Sequence, residues 1–160
     1  MNVKFGLGEL EYPSEQFQPL RETNYQASDT AACKSVLAQD GYLYLPGFLP
    51  RDAVLKARES VLTYMNEHDV LAPDSSVLEG VMPKGGNGIN LMGQTKITHL
   101  PDVLRIFEAP ELFEFFASLF GDSALTYDYK WLRAVGNERY TGSHFDWVYM
   151  GRGSQNVHTV

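Results

Sequence analysis

The sequence predicts an α+β domain in which helices come first and extended strands follow. Three observations carry this. Apolar residues recur at intervals of three and four in 30–39, after Pro50 and again over 110–120, which is the spacing of one helical face. After Gly121 the period falls to two, the signature of an extended strand. The 160 residues are 44% hydrophobic and 21% charged, the composition of a single folded domain able to bury a core.

Residues 1–28 mix Gly6, Gly8, Pro13 and Pro19 with scattered aromatics and predict an irregular lead-in. Ser28-Asp29-Thr30 offers an N-cap, Ala32, Val36 and Leu37 share one face, and Asp40-Gly41 ends the helix. Tyr42-Leu43-Tyr44-Leu45, closed by Pro46-Gly47, predicts a buried strand and a turn. Pro50 opens a second helix whose buried stripe is Val54, Ala57, Val61, Leu62 and Met65. Residues 67–98 contain Pro73, Pro83 and five glycines, so they predict a long loop, either a lid over a site or a solvated insertion. A short helix is expected around Leu104 and Phe107. Pro110 then starts another, with Leu112, Phe115, Phe116, Leu119 and Phe120 as core and Gly121 as its stop. Leu125, Tyr127, Tyr129, Trp131, Arg133 and Val135 fall on one strand face, with Tyr129 and Trp131 expected to line the interior and Lys130 to point to the solvated side. Further extended segments are expected over 143–150 and 157–160, with Trp147 and Tyr149 packed outward.

Thirteen basic residues against twenty acidic ones leave a formal charge of −7, which repels polyphosphate and predicts no nucleic-acid partner. No apolar run approaches the roughly 18–20 residues that span a bilayer, and the first residues lack a signal-peptide core, so the expectation is no membrane association and a cytoplasmic location. The single cysteine, Cys33, precludes an internal disulfide and any Cys-based metal cluster, and its place on a helix face predicts core filling. His68 and His99, at the two ends of the long loop, are expected at the surface or capping helices.

The chemistry is expected at His144-Phe145-Asp146. In a strand, residues i and i+2 face the same way, so an imidazole and a carboxylate lie side by side and can both reach one metal ion. They make two legs of the two-His-one-carboxylate arrangement that holds Fe(II) with open positions. If a hairpin centres near Gly153, His158 falls opposite Val148 on the face of Asp146 and is a candidate third ligand, although a register slip of one residue reverses this. Arg133, on an otherwise aromatic strand face, is costly to bury without an anion, so a protein carboxylate or a bound acid is expected beside it.

Residues 128–135, the stretch Thr141-Gly142-Ser143-His144-Phe145-Asp146 and the following 148–153, together with the earlier Asp40-Gly41-Tyr42-Leu43-Tyr44-Leu45-Pro46-Gly47-Phe48-Leu49, resemble the phytanoyl-CoA dioxygenase family of Fe(II)/2-oxoglutarate enzymes. The resemblance covers about 30–66 and 101–160. It implies a jelly-roll double-stranded β-helix with helices packed on one sheet. It also implies hydroxylation of a small organic or acyl substrate, with 2-oxoglutarate as cosubstrate and His144 and Asp146 as iron ligands. Asp146 stands where related halogenases carry a small residue, which implies a hydroxylase. Arg133 and Thr159 are the candidate cosubstrate-binding residues.

The family's third ligand, a later histidine, and the arginine that binds 2-oxoglutarate have no counterpart in these 160 residues. The resemblance therefore implies a single partial dioxygenase domain, the N-terminal part of a longer enzyme with an incomplete barrel, inactive as this chain. The alternative expectation is a non-catalytic partner forming a homo- or hetero-oligomer through an open sheet edge near 157–160. A metal-binding module completed by His158, or by a histidine across a dimer, is a third.

Overall fold

The computed structural model describes residues 1–5, 8–23, 29–86, 88–136, 146, 153 and 157–160. The chain divides into two compact units, Met1–Leu20 with Tyr140–Val160, and Arg21–Arg139.

In the first unit, β1 (Asn2–Phe5) and β2 (Gly8–Glu11) pair antiparallel, with Lys4 opposite Glu9 and Val3 opposite Leu10. The lead-in expected to be irregular thus begins as a hairpin. Its signal is a short alternation, Val3-Lys4-Phe5 and Glu9-Leu10-Glu11, too brief to count as periodicity. The amino terminus and the Tyr12 backbone close the open end through reciprocal 2.9 Å bonds.

The second unit is mostly helical. Helix α1 (Thr30–Asp40) begins where the Asp29 carboxylate accepts the Ala32 N–H at 3.0 Å, and ends at Gly41, whose N–H donates to the Leu37 carbonyl. Helix α2 (Arg51–Glu67) follows Pro50 and buries Ala57, Leu62 and Met65. Val54, expected inside, is 39% exposed, because the inward stripe at the start of the helix runs through half-buried Ala53 and buried Ala57, and Val54 lies beside it. Beyond a 3-10 turn at Val77–Glu79 and the two-residue strand β3 (Ile89–Asn90) come α3 (Thr95–Thr98), α4 (Pro101–Phe107) and α5 (Pro110–Phe120). Pro101 and Pro110 each occupy a first-turn position, where a missing N–H costs nothing.

Two apolar clusters form the core. One joins Cys33 of α1 to Phe115 and Leu119 of α5, with Leu43, Leu45 and Phe48 packed against them. Phe48 meets Phe115 edge to face at 5.3 Å. Cys33 is 1% exposed, and burial, reinforced by the Asp29 charge, pushes its thiol above the ordinary range. The other cluster joins Leu62 and Met65 of α2 to Leu71, with Val77, Met82 and Ile89 around them. Helix α4 lies along α2, where Asp102 accepts from the Ser60 hydroxyl at 3.3 Å and pairs with Lys56 at 3.0 Å.

Residues 42–45 form no ladder. Tyr44 is instead bracketed by Thr23, whose N–H donates to the Tyr44 carbonyl at 2.8 Å and whose hydroxyl accepts the Tyr44 N–H at 3.3 Å. The single bridge replaces the expected strand because the flanking chain turns into helices on both sides.

Of the strand expected over 125–135, only β4 (Arg133–Ala134) has ladder partners among the described residues, pairing with β3. Its orientation is the reverse of the expectation. Leu125, Tyr127, Tyr129, Trp131 and Val135 are 45–92% exposed, whereas Lys130 is 4% exposed and Leu132 and Ala134 are half-buried. Four short strands are present among the described residues, in two two-stranded sheets, and no barrel is closed by them. The expected strands at 143–150, with Trp147 and Tyr149, lie outside the described residues except at Asp146, and 157–160 carries no strand.

Candidate functional site

A set of polar contacts lies where the glycine-rich loop runs beside 129–134. Ile89 stands opposite Ala134 and Asn90 opposite Arg133, and the Gly93 N–H donates to the Lys130 carbonyl at 3.2 Å, continuing the same antiparallel register. In that register Ile89 and Leu91 share the inner face with Lys130, Leu132 and Ala134, while Asn90 and Met92 share the outer face with Trp131 and Arg133. The inner assignment agrees with the full burial of Leu91.

Lys130 enters this apolar face on its aliphatic stem. Its ammonium donates to the Tyr127 carbonyl at 2.6 Å and pairs with Glu108, at the end of α4, at 2.7 Å. An ammonium in such a place is tolerated because both contacts replace its hydration.

Arg133 is exposed, not buried as expected, so burial imposes no need for an anion beside it. Its guanidinium lies 5.8 Å from the centre of the Trp131 ring, and its Nε donates to the Met92 sulfur at 3.1 Å. The outer face of the segment is therefore an aromatic and cationic surface.

His99 caps α3. Its Nδ1 lies 3.0 Å from the Thr98 hydroxyl and its Nε2 3.3 Å from Asp128 Oδ1. The Asp128–His99–Thr98 order has the form of a nucleophile relay. Thr98 is fully buried and its hydroxyl donates to the Gln94 carbonyl at 3.0 Å, so no substrate can reach it, and the group ties α3 to the 122–130 segment. His68 caps α2 and stacks on Tyr64 with ring centres 4.0 Å apart.

Two open clefts, of about 590 and 510 Å³, flank the solvent side of α2 and share Tyr64, Glu67 and Lys96. Tyr64 is held there by its hydroxyl, which donates to Gln94 Oε1 at 2.8 Å. Tyr64 and His68 are spaced i, i+4 on one helix; the sequence marked His68 as a surface or capping residue, with nothing to single out Tyr64.

Of the sequence-predicted ligands, His144 lies outside the described residues, Asp146 is half-buried, and His158 and Thr159 are exposed. Among the described residues no three His, Cys, Asp or Glu side chains are grouped to hold a metal ion. No helix among them is long and apolar enough to cross a membrane. Comparison with protein-family models, with curated proteins and with solved structures finds no match to this chain.

Proposed function

We propose that this chain is part of an Fe(II)/2-oxoglutarate-dependent hydroxylase of the phytanoyl-CoA dioxygenase type, with His144 and Asp146 as two of its iron ligands. The observation that carries this reading is the triplet His144-Phe145-Asp146, set after 128–135 and preceded, in the family's order, by Asp40–Leu49. Two separated stretches in the right order are far more specific than the triplet. When bound, the metal and its cosubstrate supply oxygen-dependent hydroxylation of an unactivated C–H bond in a small organic or acyl substrate. The part assigned to this chain is to present an imidazole and a carboxylate on one side of the metal, with Arg133 and Thr159 as candidates for the cosubstrate's carboxylates.

Anaerobic titration with Fe(II) and then 2-oxoglutarate tests the assignment. Because the third ligand and the 2-oxoglutarate arginine have no counterpart in these residues, this chain alone is expected to give no stable visible charge-transfer band. A band lost in His144→Ala would mean that the site is completed within the chain or across a dimer and overturns the partial-domain reading, and a band that survives both His144→Ala and Asp146→Ala overturns the ligand assignment. His158→Ala separates a site completed within the chain from one completed elsewhere.

A second reading, a non-catalytic chain that pairs with another protein, is favoured by the exposed row Leu125, Tyr127, Tyr129, Trp131 and Val135. It predicts a stable oligomer and no metal-dependent band.

A further inference from the structure

We propose that Gly88–Gly93 is a built-in edge strand that seals the backbone of Tyr129–Ala134 against strand addition by a second copy of this chain. The segment 125–135 has the sequence features of an aggregation-prone strand, alternating aromatic and aliphatic residues with five of them exposed, and after bends at Asp128 and Tyr129 it ends in β4. An extended segment of this kind, with its N–H and C=O groups open, is a template for an identical neighbour.

Gly88–Gly93 occupies one edge of that template in a single register, through Ile89–Ala134, Asn90–Arg133 and the Gly93 N–H to the Lys130 carbonyl. The fit depends on missing side chains. A Cβ on Gly88, at φ +67°, would come within 2.1 Å of the Ala134 carbonyl oxygen, and one on Gly93, at φ +66°, within 2.3 Å of the Tyr129 ring. Leu91, fully buried between these two glycines, anchors the segment from its inner side. Gly88 and Gly93 therefore serve close approach, and the two-residue ladder they permit is itself too short to offer a new edge. The inference is independent of any metal chemistry.

Gly85 supplies the control. It has φ +75°, yet a Cβ there meets nothing within 4 Å, so Gly85→Ala carries the backbone strain without the clash. Tyr129→Ala supplies the rescue, since the atoms nearest a Gly93 Cβ all belong to that ring. The 160-residue chain and its variants are compared by light scattering after size exclusion and by hydrogen exchange over 129–134. The wild type and Gly85→Ala are expected to be monomeric with this segment protected. Gly88→Ala and Gly93→Ala are expected to show concentration-dependent self-association at low concentration, where the freed edge exchanges about tenfold faster. Gly93→Ala combined with Tyr129→Ala is expected to return to monomer. The proposal is overturned if Gly85→Ala associates as readily as Gly93→Ala, or if the clashing variants stay monomeric and protected. It is also overturned if the double variant associates like Gly93→Ala, or if Gly93→Ala loses its helical circular dichroism, which would place the segment in the global core.

Discussion

The helical cluster around Phe115 and the extended segment 122–136 are stabilised by different means. In the first, α1 and α5 meet mainly through Cys33, Phe115 and Leu119, with an exposed hydroxyl contact between Thr30 and Ser118 at 2.6 Å beside this packing. In the second, few backbone bonds are made, and the chain is held by particular groups: the Lys130–Glu108 pair, the His99–Asp128 contact, and glycines that let another segment approach. A packed face tolerates many sequences of the right volume, whereas a segment held by single groups depends on each of them.

The contrast is broken most directly in the helical cluster. Phe115→Ala removes a buried ring that touches both Phe48 and Phe116, and is expected to cost about 3–5 kcal/mol in urea unfolding. A loss under 1 kcal/mol would show that this cluster does not hold the unit together.

The extended segment should respond to charge more than to volume. Glu108→Ala leaves the Lys130 ammonium buried with only the Tyr127 carbonyl and is expected to cost about 1–2 kcal/mol, below the figure for a fully buried pair because Glu108 is 41% exposed. Lys130→Met removes the charge as well and keeps the stem, so it is expected to cost less than Glu108→Ala in the same denaturation assay. The opposite order would mean that the ion pair itself is strongly net stabilising.

A smaller effect is expected at the exposed pair Arg105–Glu111, whose guanidinium nitrogens donate to the Glu111 carboxylate at 2.9 and 3.1 Å. The hydrogen bond from Arg105 holds the Glu111 carboxyl below the usual glutamate range. Since the folded state favours the ionised form, the contribution is present above the ordinary glutamate pKa and is lost as pH falls through the lowered one. Glu111→Gln should therefore narrow the difference between melting temperatures at neutral and acid pH, and an unchanged difference would show that the pair is energetically silent.

The smallest effect belongs to the exposed row. Leu125, 92% exposed, is expected to be replaceable by Ser within about 0.5 kcal/mol by thermal unfolding. A larger loss would mean that the outer face is covered in solution.

Much of the candidate chemistry was readable as pattern and little of it as geometry. The His144-Phe145-Asp146 triplet is a local feature of the sequence, while the strand expected to carry it is not seen at Asp146, which lies in a turn. The Asp128–His99–Thr98 contacts were not readable, because His99 and Asp128 lie 29 residues apart and only the packed chain brings them together. The Lys130–Glu108 pair was missed for a further reason: a lysine is ordinarily assigned to solvent, and only a carboxylate from the end of α4 makes its burial possible.

The sequence by itself determined α1, α4 and α5, since a capping aspartate at 29, prolines at 101 and 110 and glycines at 41 and 121 act within a turn of the residues they govern, whereas α3 and the 3-10 turn at Val77–Glu79 fall inside the stretch read as loop. It also determined that Cys33, Phe115 and Leu119 would be inside, because helical spacing fixes one apolar stripe. Only the tertiary structure decided which face of 125–135 turns inward. A period of two defines two faces without ranking them, and here the rank was settled by segments remote in sequence: Leu91 and Ile89 on the inner side, Glu108 for the lysine, and glycines spaced to admit a neighbouring backbone.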